Sequence, residues 1–192
     1  MKIILASKSK RRKDLLNMMH INYEVVESDK EEFLDINLSP LENCINISLQ
    51  KAIDVKNKTT GNRIIIACDT IVCKDNKIYG KPKDYKDAFE MLKILSNGSH
   101  EVISCLTVIK VIDNKEDIYQ ENSTCKVYID LMTDKEINDW ILNSNPYDKA
   151  GAYAIQEEFG KYITKVEGDY YTIVGLPINK LYRILHTIKN DE

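Results

Sequence analysis

The chain has 192 residues, of which 43% are hydrophobic and 30% charged, with a formal net charge of −3 and a pI near 5.7. That length suits one domain, 1–192, with two lobes around a cleft. The acidic balance excludes a general nucleic-acid binder, which needs a broad basic excess, but leaves room for a small anion held by a local cation cluster.

The elements follow in chain order. Ile3-Ile4-Leu5-Ala6 reads as a short buried strand, and a helix is expected over 10–19 with Ser9 as N-cap and Leu15, Leu16 and Met19 on one face. Residues 23–26 alternate like a second strand and lead into an acidic loop ending at Glu31-Glu32. Ser39-Pro40-Leu41-Glu42 joins a capping box to a proline at the first helical position, opening a helix with Ile45, Leu49, Ala52 and Ile53 as its apolar stripe. The apolar run Ile64 to Cys73, broken by Asp69-Thr70, predicts a strand covered on both faces. Asp84 caps a third helix carrying Ala88, Met91, Leu92 and Leu95. Two long strands meet around Asp113-Asn114-Lys115, and Thr133-Asp134-Lys135-Glu136 opens a fourth helix with Ile137, Trp140 and Ile141 inward. Residues 162–166 and 171–174 are expected to form a hairpin about Gly168-Asp169, before a terminal helix from Pro177. The pattern is that of a mixed-sheet α/β domain.

The five cysteines form no C-x-x-C pair and are odd in number, and the three histidines are far apart, so neither a disulfide framework nor a zinc site is expected. There is no signal-peptide pattern and no apolar stretch of membrane-spanning length. A cytoplasmic protein with no membrane and no nucleic-acid partner is the expectation.

Chemistry concentrates at a few positions. Lys8, Lys10, Arg11, Arg12 and Lys13 crowd the start of the first helix, where each misplaced cation costs roughly 0.3–1 kcal/mol. A bound polyphosphate reverses that sign, because helix amides, Ser7, Ser9 and guanidinium forks all present donors to one anion. Read alone, the run is equally a solvated basic face. Asp69, in an otherwise apolar strand, must be paired, protonated or metal-bound, although a structural aspartate capping backbone amides also fits. Glu32 offers a second carboxylate, and two such groups at a triphosphate suit Mg²⁺ or Mn²⁺. Lys51 on the second helix and Lys81 in the Gly80-Lys81-Pro82 turn add cations, each weak evidence alone. In Asp148-Lys149-Ala150-Gly151-Ala152-Tyr153-Ala154-Ile155-Gln156 the small residues permit close backbone approach, and Gln156 can both donate and accept toward a base edge. A tightly packed turn explains the small residues equally well.

In order and spacing, these segments together with Lys51-Ala52 and Val174-Gly175-Leu176-Pro177 resemble the Maf family of nucleotide pyrophosphatases across nearly the whole chain. The resemblance implies an elongated fold like that of inosine-triphosphate pyrophosphatases, with the active site in a cleft between lobes, and often a homodimer. It also implies metal-dependent hydrolysis of a nucleoside triphosphate to monophosphate and diphosphate. At the matching positions it implies Asp69 as general base, Glu32 with Asp69 as metal ligands, and Ser7, Arg12, Lys51 and Lys81 on the phosphates. Arg11, Thr70 and Gln156 match the branch that prefers dTTP and UTP; the branch for 7-methylguanine nucleotides carries Trp, Gln and Glu there. The family name also carries an association with septum formation and cell division, which implies a nucleotide-binding regulator as the alternative. Lys10, Cys68, Asn97 and Thr172 depart from the common family residues, away from the implied catalytic positions.

Overall fold

The computed structural model describes residues 1–190. In chain order the elements are β1 (Lys2–Leu5), α1 (Lys10–Met18), β2 (Glu24–Val25), α2 (Pro40–Lys58), β3 (Arg63–Lys74), β4 (Lys77–Tyr79), α3 (Tyr85–Leu95), β5 (Gly98–Ile112) and β6 (Lys115–Ile129). They continue with α4 (Asp134–Ser144), three short 3-10 turns, β7 (Ile163–Glu167), α5 (Tyr170–Val174) and α6 (Ile178–Asn190). One seven-stranded sheet runs β2-β1-β3-β5-β6-β7, with β4 added on β3. β1 lies parallel to β2 and β3, whereas β4 on β3 and β7 on β6 are antiparallel. The mixed α/β class expected from the sequence is the one found.

Local chemistry explains most of these boundaries. Ser39 and Thr133 each accept from the backbone N–H three residues on, and Glu42 and Glu136 reach back to complete the two capping boxes. Asp84 accepts from the Asp87 N–H at the start of α3. The tight turns after β3 and β5 use Asp75-Asn76 and Asp113-Asn114, all four with positive φ, a conformation that Asn and Asp tolerate better than other side chains.

Four expectations change. Ser9 does precede α1, but its side chain makes no capping hydrogen bond; its backbone N–H instead donates to Ser7 Oγ at 3.2 Å. β2 shrinks to two exposed residues. The buried stripe of α2 is Cys44, Ile47, Ser48, Ala52 and Val55, while Ile53 is exposed. Ser48 can face inward because it shares a 2.9 Å hydrogen bond with buried Thr107. The expected hairpin at 162–174 is absent, since β7 pairs with β6 and 170–174 is helical. Asp169 decides this locally, accepting from the Tyr171 N–H and the Thr172 hydroxyl and so starting a helix where a strand was expected. Gly168 just before it, at φ 121°, sits where a Cβ would lie 2.6 Å from Cys125 Sγ.

The chain divides into two compact units. The first takes Met1–Asp69, Ser104–Ser123 and the segment from Gly175 onward, and its core joins Ile4, Ala6, Ala52, Val55, Ile65, Ala67, Ile109 and Val111. Each fully buried Ile or Val contributes about 1.5–3 kcal/mol of transfer free energy. The second takes Thr70–Ile103 and Thr124–Val174, with Trp140, Tyr153, Phe159 and Leu92 among its buried residues. Among the described residues no helix is long and apolar enough to cross a membrane.

His100 gives the second unit a pH dependence. The ring is buried, with Nε2 2.7 Å from the Tyr153 hydroxyl and Nδ1 without a partner among the described residues. Burial, reinforced by the Lys74 charge, pushes its pKa down to about 4 from an ordinary 6.5. As pH falls the unfolded chain takes up this proton first, so the stability held by the neutral ring is present above about pH 6.5 and drains away toward about pH 4. The loss should reach about 1.4 kcal/mol per pH unit at its steepest. Urea unfolding at pH 7 and pH 5 should show a smaller difference for His100→Gln than for the wild type.

Candidate functional site

The site grows from the C-terminal end of β1. The last registered pair of β1 with β3 is Leu5 with Ile66, and the Ala6 N–H still donates to the Ile66 carbonyl at 2.8 Å. Ser7 therefore leaves β1 where β3 is approaching Asp69. In parallel sheets this carboxyl end is where ligands bind, because loops leave there and helix N-termini arrive. α1 begins three residues later at Lys10 with no acidic residue in its first turn. Its amide dipoles and the cations of the basic run thus carry the same sign.

Arg12 is held at two points. Its Nε donates to the Gly175 carbonyl at 2.8 Å and its Nη1 to Ser7 Oγ at 3.2 Å. The Ser7 hydroxyl thus receives donors from both the Ser9 backbone and Arg12. Lys8 and Lys10 are exposed, and Arg11 is half-buried.

On β3, Asp69 is buried, only 4% exposed. Lys51 Nζ lies 2.6 Å from its Oδ1 and 2.8 Å from Glu32 Oε1, so one ammonium joins a carboxylate from the strand to one from the acidic loop. The register of α2 makes this geometry. Lys51 lies seven residues beyond Cys44 and three beyond Ser48, at the border of the inward stripe, and its side chain is 12% exposed. Behind Asp69, the thiols of Cys44 and Cys68 both donate to its carbonyl at 3.5 Å. Burial pushes the Cys68 thiol up to about 11, and the charges of Arg12 and Lys51 pull against that shift. Glu31, next to Glu32, is exposed.

The first unit therefore brings together Ser7, Ser9, Arg12, Glu32, Lys51 and Asp69. The remaining sequence candidates, Thr70, Lys81 and Gln156, belong to the second unit. Thr70 follows Asp69 directly in β3 and is partly exposed. Lys81 is exposed on a turn whose preceding residue is fixed, since the Gly80 carbonyl accepts from the Gly151 N–H at 3.0 Å. Gln156 is exposed too, one residue before Glu157, whose N–H donates to the Ala154 carbonyl at 3.2 Å. Gly151, at φ 68°, packs where a Cβ would lie 3.0 Å from Val72, so the small residues of this segment serve close packing.

Three contributors were not assigned roles by sequence reasoning. Gly175 holds Arg12 through its carbonyl and has a φ of 118°, which only glycine adopts without strain. The Gly-Leu-Pro signature marked the place but not the acceptor. Cys44 and Cys68 support the Asp69 backbone, and nothing in their spacing signals that.

A buried carboxylate against an ammonium, a second carboxylate on the same ammonium, and a braced guanidinium define a site for polyanion chemistry. Comparison with known proteins makes the assignment specific. The Maf-like protein family model matches residues 2–188, and the chain belongs to that family. Among curated relatives, the dTTP/UTP pyrophosphatase of Alkaliphilus oremlandii is 45% identical over 95% of this chain and 94% of its own length. The dTTP/UTP pyrophosphatase of Clostridium botulinum is 43% identical over 96% of this chain and 98% of its own. A looser likeness is to the structure of a HAM1 protein from Coxiella burnetii, with TM-score 0.43 and 14% identity over 67% of this chain and 73% of that one.

Lys51→Met leaves the buried Asp69 carboxylate without its cation. It should lower the unfolding free energy by about 3 kcal/mol, a fall in Tm of roughly 6–12 °C. Lys51→Met/Asp69→Asn should recover most of that loss in urea titrations. A double variant as unstable as the single one would show that the ion pair is not the cause.

Proposed function

We propose that this chain is a nucleoside triphosphate pyrophosphatase that hydrolyses dTTP and UTP, and modified pyrimidine nucleotides of the same base edge, to the monophosphate and diphosphate. The observation that carries the reading is the Lys51 ammonium shared by Asp69 and Glu32 beside the Arg12–Ser7 corner. The naming of relatives that are 43–45% identical over 94–98% of their own length supports the same substrates.

Ser7, Ser9 and Arg12 hold phosphate oxygens at the mouth of α1, where donors and helix dipole act on the same anion. Lys51 and Lys81 add positive charge along the triphosphate. Water attacks the α-phosphorus, Asp69 accepts its proton, and the bond to the bridging oxygen breaks so that diphosphate leaves. Arg11, Thr70 and Gln156 select the base. The Gln156 amide donates to O4 of uracil or thymine and accepts from N3–H, whereas a carboxylate there could only accept.

A divalent cation fits this donor set. Lys51 already marks a point where two carboxylates converge on one positive charge. Mg²⁺ and Mn²⁺ are held by one or two carboxylates with substrate phosphates and water completing the shell. Glu32 and Asp69 would be those carboxylates; among the described residues no cluster of three or more His, Cys, Asp or Glu side chains forms a metal cage. When bound, the ion neutralises charge developing on the phosphate oxygens. Lys51, displaced from the carboxylates by such an ion, would be able to hold a phosphate oxygen. The free, buried thiols suit a reducing cytoplasm.

The test is diphosphate release from a panel of nucleoside triphosphates with Mg²⁺ or Mn²⁺. UTP and dTTP should be the best substrates, and Asp69→Asn should lower kcat by about 10²–10⁴-fold. Gln156→Glu should erode the preference for UTP over GTP. No release from any triphosphate overturns the activity, and undiminished turnover by Asp69→Asn overturns the assigned base.

A further inference from the structure

Lys149 is a buried cation to which the proposed chemistry gives no task. Its side chain is 8% exposed, and its Nζ lies 2.8 Å from Asp148 Oδ1 and 3.5 Å from Glu157 Oε1. Both carboxylates are themselves substantially exposed, at 71% and 38%. Burying a lysine head group is expensive unless it is paired, and pairing to two solvated carboxylates would be equally available at the surface. The arrangement therefore needs a reason beyond stability.

That reason lies in what the two carboxylates delimit. Asp148 opens the small-residue segment, and Glu157 follows Gln156 directly. The ammonium ties these ends together across the loop. Backbone bonds hold the intervening chain: Lys149 N–H to the Pro146 carbonyl at 3.0 Å, Ala152 N–H to the Lys149 carbonyl at 3.1 Å, and Glu157 N–H to the Ala154 carbonyl at 3.2 Å. Trp140 Nε1 donates to the Ala152 carbonyl at 2.9 Å, and Gly160 leaves room where a Cβ would meet the Ile155 carbonyl at 2.9 Å. The turn is thus held at Ala154 and Glu157 on either side of Gln156, while Gln156 itself is exposed. A side chain that reads a base edge needs this combination, since an amide that can rotate freely loses the distinction between its donor and acceptor ends.

The geometry points to Lys149 as a positioning residue for pyrimidine selection: through Glu157 it holds the 154–157 turn so that Gln156 presents its amide in one orientation to the 4-oxo, 3-imino edge of uracil or thymine. This rests on the assignment of Gln156 to base selection in the function proposed above. Lys149 touches no substrate atom in this role.

Lys149→Met keeps the aliphatic stem and removes the charge, leaving two carboxylates already in contact with water. The measurement is kcat and KM for UTP and CTP with the full-length protein, for Lys149→Met, Glu157→Gln, Gln156→Ala and the Lys149→Met/Gln156→Ala pair, with thermal unfolding in parallel. Lys149→Met should lower the selectivity for UTP over CTP about tenfold, mainly through KM for UTP, because one base hydrogen bond is lost to misalignment. Glu157→Gln should act in the same direction, and Lys149→Arg should restore most of the selectivity. In the Gln156→Ala background Lys149→Met should have no further effect on selectivity. A purely structural lysine would lower Tm and depress both substrates alike; that pattern, or additive effects in the pair, overturns the inference. If Gln156→Ala itself leaves selectivity unchanged, the reading of Gln156 falls and the inference with it. If Gln156→Ala collapses selectivity and Lys149→Met does not, the inference alone falls.

Discussion

The first unit depends on one ammonium group. Lys51 neutralises a carboxylate buried in the middle of an apolar strand and at the same time draws in Glu32 from a loop. Without it the carboxylate would stand as an unpaired charge at that depth, which is strongly destabilising. Helix α2 is built to deliver the group. Its capping box fixes the start, and a stripe of Cys44, Ser48 and Ala52 lets the helix lie close to the sheet. Lys51, at the border of that stripe, reaches the strand carboxylate from there. One ammonium therefore serves both the packing of the strand and the placing of the loop carboxylate.

The same economy appears around Arg12. Its guanidinium donates to the Gly175 carbonyl and to Ser7 Oγ, which fix the plane of the group. A pre-oriented fork loses little side-chain entropy when an anion arrives. The flanking lysines at positions 8 and 10 are exposed and unrestrained by comparison, which suits long-range attraction more than fixed contact.

Much of the fold was legible from local signals. Both capping boxes, the Asp84 cap and the Asp113-Asn114 turn are decided by neighbouring atoms, and all appear where their residues stand. The hairpin expected at 162–174 failed for the same kind of reason: Asp169 accepts from the Tyr171 N–H and the Thr172 hydroxyl at the start of a helix, and aromatic and β-branched residues in 170–174 concealed those bonds. The face of α2 was misread because Ile45, Leu49 and Ile53 make a regular apolar stripe, whereas the true inward stripe includes a serine that is paid for by Thr107. At the site, Asp69 stood out as a charge in an apolar run. That Lys51 would meet it could not be seen from spacing, since the pairing depends on the rotation of α2 about its own axis. The supporting thiols of Cys44 and Cys68 were invisible for a related reason, as buried cysteines look alike whatever they touch.

Gly175 has a consequence for how this protein responds to mutation. The acceptor that holds the Arg12 guanidinium is a main-chain oxygen, present whatever residue occupies the position. Truncating side chains one by one would remove each of the other partners in turn and leave this one in place. Only a change that rotates the peptide plane can withdraw it, and a φ of 118° makes almost any replacement do so. The residue with the least chemistry of its own is therefore among the least replaceable, and a scan that scores what side chains do would pass over it.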